Sequence, residues 1–151
     1  MPKKTKDVQY YEGVGRRKQS VARVRLHLVT KEKLATVGDK KLKAGEIYLN
    51  NKPIGQMFSS LYEQECYLMP LKLTNTVDRF AITIVVNGGG KRGQLDAVVH
   101  GLSRALELVD KETNRPLLKK EGLLKRDPRK KERRKVGRGG KARKAKQSPK
   151  R

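Results

Sequence analysis

A small α+β domain followed by a polycationic extension that cannot fold by itself is the architecture this sequence predicts. Three observations carry it. Two segments, 20–28 and 79–86, alternate apolar and polar residues with the period of a strand. A longer segment after the second repeats its apolar residues at helical steps. Beyond Leu124 the aliphatic residues nearly disappear while lysine and arginine accumulate.

The first residues, Met1 to Asp7, form a short basic arm. The folded domain is expected over Val8 to Leu124. Ser20 to Leu28 reads as a strand, with Ala22, Val24, Leu26 and Leu28 on one face and Arg23, Arg25 and His27 on the other. Lys31 to Lys43 has no clear period and is assigned an irregular hairpin. Glu46 to Asn50 reads as a short strand with Ile47 and Leu49 inward, and Asn50-Asn51-Lys52-Pro53 turns the chain. From Pro53 to Thr76 short helical pieces and loops are expected. Arg79 to Val86 is the clearest strand. Phe80, Ile82, Ile84 and Val86 share a face, and the modest Ala81, Thr83 and Val85 suit the second face of a central strand. Gln94 to Val109 is the clearest helix: Leu95, Val98, Val99, Leu102, Ala105, Leu106 and Val109 recur at three- and four-residue steps. Gly101 interrupts it at a cost relative to alanine, which close packing on the sheet would explain. A shorter helix is expected over Asn114 to Leu124, with Pro116 in its first turn.

Charge decides the class of partner. The 151 residues hold 38 Lys/Arg against 15 Asp/Glu, a formal net charge of +23. More than half of that excess lies after Leu124, where 15 Lys/Arg meet Asp127 and Glu132. Residues Lys125 to Arg151 cannot bury enough apolar surface to offset their ordering entropy, so they are expected to be extended and disordered when free. Self-repulsion of this size calls for a polyanion. Nucleic acid fits. A membrane surface would need an amphipathic anchor helix or a lipid, and neither is evident. No apolar run approaches the roughly 20 residues of a membrane span. Met1 to Lys6 and the polar residues after it lack the apolar core of a signal peptide. The single Cys66 excludes an intramolecular disulfide. A soluble protein of the cytosol, or a comparable reducing compartment, is expected.

Three constellations could carry chemistry. The first is Gly13-Val14-Gly15-Arg16-Arg17-Lys18-Gln19-Ser20. Its glycines let backbone approach a bulky partner, and Arg16, Arg17 and Lys18 supply phosphate contacts. A dinucleotide fingerprint would need a third glycine and a following helix, whereas a strand follows here. The second is Asn87 to Gln94, a glycine loop between strand and helix with Lys91 and Arg92. Free N–H groups and the helix dipole favour an anion there. The lysine and hydroxyl that close a P-loop are missing, so an RNA phosphate suits it better than a nucleoside triphosphate. The third is the tail, with Arg126, Arg129, Lys130, Lys131, Arg133, Arg134 and Lys135 at its root. A solvated basic turn, a flexible glycine turn and a solubilising or targeting run remain the plainer readings of the three.

Signals for catalysis are weak, and no enzyme activity, cofactor, metal or small-molecule substrate is assigned. His27 and His100 are far apart in sequence and read as surface or RNA-facing residues. No His/Cys/Asp cluster has metal spacing. Glu63, Glu65 and Asp78 have no visible nucleophile to serve. Cys66 reads as a small core or half-buried thiol, and the tyrosines at 10, 11, 48, 62 and 67 could stack on bases, with core or edge packing as the default.

Several blocks resemble a known family. Tyr11 to Val24 resembles the opening of bacterial small-ribosomal-subunit protein nine. Gly88-Gly89-Gly90 with Gly93-Gln94, then His100 to Leu106, resembles its central helix, and Leu124 to Gly137 its tail entrance. The resemblance covers about Tyr10 to Arg151. It implies an α+β two-layer sandwich like the second domain of small-subunit protein five, with a left-handed βαβ crossover. Ordinary topology rules favour the opposite hand. It also implies binding to 16S ribosomal RNA in the head of the small subunit, beside neighbouring head proteins. Arg16, Arg17, Lys18, Lys91 and Arg92 would be ribosomal RNA contacts. The tail would reach the P-site transfer RNA, with Lys150 and Arg151 at its tip. Two departures stand out: Gly137-Arg138-Gly139-Gly140 interrupts the basic run, and the family's phenylalanine near the tip is absent from Lys146 to Pro149.

The expected function is thus a structural, RNA-binding constituent of the cytoplasmic small ribosomal subunit that supports translation. A general nucleic-acid chaperone and an RNA-processing factor are the alternatives.

Overall fold

In the computed structural model, residues 3–5, 8–29, 34–37, 40–138, 140 and 142–143 are described. The chain runs through β1 (Lys3–Thr5), β2 (Val8–Arg17), β3 (Ser20–Leu28), β4 (Leu34–Val37), β5 (Lys40–Lys43), β6 (Ile47–Leu49) and β7 (Lys52–Pro53). It continues through α1 (Ile54–Met57), α2 (Leu61–Leu73), β8 (Phe80–Asn87), α3 (Lys91–Val109) and α4 (Lys111–Lys120). Six strands form one mixed sheet in the order β1-β2-β3-β8-β6-β7, and β4-β5 forms a separate hairpin. The expected α+β class holds, and a βαβ unit is present: β6 and β8 pair in parallel and are joined through α1 and α2.

The alternation read in β3 and β8 decides the core. Ala22, Val24 and Leu26 of β3 meet Phe80, Ile82, Ile84 and Val86 of β8 beneath the helices. Ile47 and Leu49 extend this layer across β6, while Leu95, Val98, Leu102 and Leu106 of α3 close it from above. Leu28, expected inward, lies at the sheet margin and is partly exposed. Ala81, on the second face of β8, packs with Ala35 and Leu42, so the β4-β5 hairpin roofs part of the other side. The hairpin expected within Lys31 to Lys43 is therefore regular where described, Leu34 pairing Lys43 and Val37 pairing Lys40.

Four elements differ from expectation, each for a physical reason. Strand β2 was hidden because its inward face carries Gly13 and Gly15 beside a single Tyr11, with no aliphatic residue to mark the period. The turn after it shrinks to Lys18-Gln19, with Lys18 at φ 51°. The region 53–76 holds a full helix, α2, started by a reciprocal cap between Ser60 and Glu63. Helix α3 begins one turn early, at Lys91, so Lys91, Arg92 and Gly93 belong to its first turn. Helix α4 starts at Lys111 because Asp110 accepts from the N–H groups of Glu112 and Thr113, leaving Pro116 inside the helix. The Asn50-Asn51 turn is as expected, both residues at positive φ. The Asn50 side chain also accepts from the Val86 N–H and donates to the Val86 carbonyl, at 3.0 and 3.1 Å.

His27 corrects a further expectation: it is only 2% exposed. Its cross-strand partner Ala81 packs with Ala35 and Leu42 of the β4-β5 hairpin on the same outer face. The ring rests beside Tyr10, and Nε2 shares a 2.8 Å hydrogen bond with the Thr83 hydroxyl. Nδ1 has no partner among the described residues. Burial, assisted by the Arg25 charge, lowers the His27 pKa to about 4. On acidification the unfolded chain therefore takes the proton first. The stability contributed by neutral His27 is present above pH about 6.5 and is lost as pH falls toward 4. A loss of about 2–3 kcal/mol is expected across that window. Thermal melts at pH 7 and 4.5 should show it, and His27→Gln should flatten most of the slope.

Candidate nucleic-acid interface

Two strand-to-element junctions meet at one end of the sheet: the β2-β3 turn and the loop from β8 into α3. They are locked by small residues. The Ser20 hydroxyl donates to the Gly88 carbonyl at 3.1 Å, and the Gln94 amide donates to the same oxygen at 3.1 Å. Gly89, at φ 65°, passes so close to Ser20 that a Cβ would overlap its hydroxyl. Gly90 caps α3 without a side chain, so the N–H groups of the first turn lack intrahelical acceptors and face outward with the positive end of the dipole.

The tail begins on the same end. After α4, Gly122 at φ 70° and a Leu123 N–H bond to the Leu118 carbonyl stop the helix. Leu123 and Leu124 pack on the core. From Arg126 to Lys135 there is no helix or strand, as an apolar-poor segment requires.

This path brings the three sequence constellations together. Lys18, Gly89 and Gly90 with the first turn of α3 (Lys91, Arg92 and Gly93), and Lys130 and Lys131 of the tail line one groove. Its acidic complement is sparse. Lys91 pairs with Glu63 at 2.9 Å, and that ammonium holds the Glu63 carboxyl below its ordinary pKa. Arg92 reaches Asp96 at 3.7 Å, donates to the Tyr62 hydroxyl at 2.8 Å and lies over its ring at 5.0 Å. Tyr62 is 53% exposed, so an arginine and an aromatic ring stand together at the rim of the groove. Such pairs suit unstacked bases.

The family model for ribosomal protein S9/S16 matches residues 15–151. The chain belongs to the ribosomal protein S9/S16 family. It is accordingly a structural constituent of the small ribosomal subunit, in the cytoplasm, and binds 16S ribosomal RNA. Among the described residues no helix is long and apolar enough to cross a membrane, and no group of His, Cys, Asp and Glu has the arrangement of a metal site.

Within this S9/S16 protein the sequence-derived site residues separate into groups. Arg16, Lys18, Lys91, Arg92, Lys130 and Lys131 are exposed at the groove end. Arg126, Arg129, Arg133, Arg134 and Lys135 are exposed along the tail. Lys150 and Arg151 lie outside the described residues. Gly13 and Gly15 are buried, and the close approach they permit is to α3: a Cβ on Gly13 would lie 2.5 Å from the Ala105 nitrogen. They set the distance between strand and helix and offer no surface to RNA. Arg17 is largely covered and bonded to the tail.

His100, read as a surface residue, is instead a joint of the S9/S16 domain. Its Nδ1 accepts the Arg16 N–H at 3.2 Å, which requires a ring lone pair and hence the neutral form. Burial lowers its pKa; Leu124 backbone hydrogen bonding opposes, and the Arg104 and Arg126 charges lower it further. Cys66 is half-buried against the core, as expected. Tyr62, for which base stacking is the alternative to packing, stands exposed beside Arg92, whereas the sequence alone assigns no role to Asp96 or Asp127. The one available signal was that Asp127 is an acid set among cations.

Proposed function

We propose that the groove at the α3 N-terminus takes the phosphate backbone of 16S ribosomal RNA in the subunit head, and that the tail continues to the P-site transfer RNA through Lys150 and Arg151. The convergence of Lys18, Lys91, Arg92, Lys130 and Lys131 on one groove carries the first part. The resemblance of the tail to its family carries the second. Neighbouring head proteins would share the RNA around the domain. In this reading the protein neutralises phosphates and fixes RNA geometry without performing chemistry on it.

Neutralising single groove cations tests the reading. Lys18→Gln, Lys91→Gln and Lys130→Gln should each weaken binding to 16S ribosomal RNA. Each should also make the salt dependence of log K shallower by about one phosphate's worth of counterion release. Filter binding across a salt series measures both. Unchanged slopes in all three variants would remove the groove from the interface. Equal affinity of the intact protein for random RNA of the same length would favour the chaperone alternative.

A further inference from the structure

Between the domain and the cationic tail runs a ladder of alternating charges. Arg92 reaches Asp96, and Asp96 also meets Arg17 at 3.4 Å. Arg17 continues to Asp127 at 3.0 Å and donates to the Arg129 carbonyl at 2.7 Å. Asp127 in turn accepts both arms of the Arg129 guanidinium, at 2.8 to 3.1 Å, and the Arg129 N–H at 2.9 Å. The Arg17 side chain is only 16% exposed, so this is not a loose surface pair. One residue away, the Arg16 N–H is held by His100.

We propose that Arg17 and Asp127 form a latch that sets where the tail leaves the domain, so that Lys130 and Lys131 are held beside Lys91 and Arg92 before RNA arrives. This rests on the groove reading and deepens it: Arg17 and Asp127 are positioning residues, and the neighbouring lysines meet phosphate. The physical case is entropic. A segment as polar as 125–135 has no apolar reason to lie on the domain. Tying it at 127 and 129 places the next two cations within a few residues' reach of the groove, and ordering that RNA would otherwise have to impose is already complete. An acid in a tail that binds a polyanion otherwise works against binding. The latch explains its presence.

The sign of one substitution distinguishes the latch from simple charge counting. Asp127→Asn removes a negative charge, so counterion release alone predicts equal or tighter RNA binding. The latch predicts the reverse for the specific complex: about five-fold weaker binding to 16S ribosomal RNA, the upper range for an ion pair of this kind. Binding to random RNA of equal length should not weaken. Arg17→Lys conserves charge but loses the fork that joins Asp96, Asp127 and the Arg129 carbonyl, and should lose a similar factor. Amide hydrogen exchange over residues 123–129 should accelerate in both variants of the full chain, while exchange in β3 and β8 stays unchanged. If Asp127→Asn binds 16S ribosomal RNA as well as or better than the parent, or if exchange over 123–129 is unaltered, the latch is overturned. If the parent protein itself shows no preference for 16S ribosomal RNA, the groove reading fails first, and the exchange result alone then decides whether the latch exists.

Discussion

Gly15→Val is expected to abolish the folded domain, or to lower its melting temperature by about 10 °C or more. Strand β2 and helix α3 touch backbone to backbone. A Cβ at Gly15 would overlap the Ala97 carbonyl oxygen and the Gly101 nitrogen, and Gly101 itself would place a Cβ 2.8 Å from the Val24 side chain. None of these obstacles is the flexible end of a side chain, apart from Val24. The helix must therefore move off the strand, opening the layer of Leu95, Val98, Leu102 and Leu106 beneath it. Overpacking that displaces backbone costs about 3 kcal/mol or more, against a total stability of about 5–15 kcal/mol for a domain of this size. At that size each kcal/mol is worth roughly 3–6 °C. Gly15→Ala should fall between parent and valine. Gly55→Ala is the control, since a Cβ there meets nothing within 4 Å. Thermal melts followed by circular dichroism decide it, and a Gly15→Val melt within 2 °C of the parent, roughly the size of a typical surface substitution, would show that β2 and α3 can separate without loss.

Ending the chain after Arg129 should leave the domain folded and cut its affinity for 16S ribosomal RNA by about 10³-fold at moderate salt. The buried core cluster closes at Leu118, with Leu123 and Leu124 packed on it, so nothing removed belongs to the core. What is removed is most of the tail's positive charge, from Lys130 to Arg151, with Glu132 as its lone acid. If six to ten of those cations meet phosphates, raising salt from 50 to 200 mM costs the full chain about 10³ to 10⁵ in affinity, a sensitivity the shortened chain should largely lack. The slope of log K against log salt should become shallower by several units. Transfer-RNA retention in the P site of reconstituted subunits should fall with it. Retaining Arg129 keeps the latch in place, so the experiment separates charge from positioning. A truncated protein that melts without a cooperative transition would place residues beyond 129 inside the folding unit.

Much of this was legible in the residues. The strands 20–28 and 79–86 and the central helix declared themselves because each buries one face, and burial leaves a period behind. The cations at 16–18, 91–92 and 126–135 were legible because charge needs no fold to be recognised. Helix α2 was obscured because Pro70 sits inside it and its exposed Leu61 and Tyr62 blur the apolar stripe. Strand β2 was obscured for the opposite reason: beyond Tyr11 its inward positions are Gly13 and Gly15, whose contribution is distance, and absence of a side chain carries no periodic signal. His27 looked polar-facing because alternation assigns a face but cannot tell that Tyr10 and Thr83 close around the ring.

By itself the sequence determined the α+β class, the RNA-binding character and the family, because these follow from periodicity, net charge and motif order, all properties of the chain read residue by residue. Only the tertiary structure decided that Lys18, Lys91 and Lys130 share one groove, that Gly15 faces a helix, and that Arg17 holds the tail instead of standing free. Those facts depend on residues more than 70 positions apart, such as Arg17 and Asp127, being brought within hydrogen-bonding distance. That proximity is produced by burying the helical layer on the sheet.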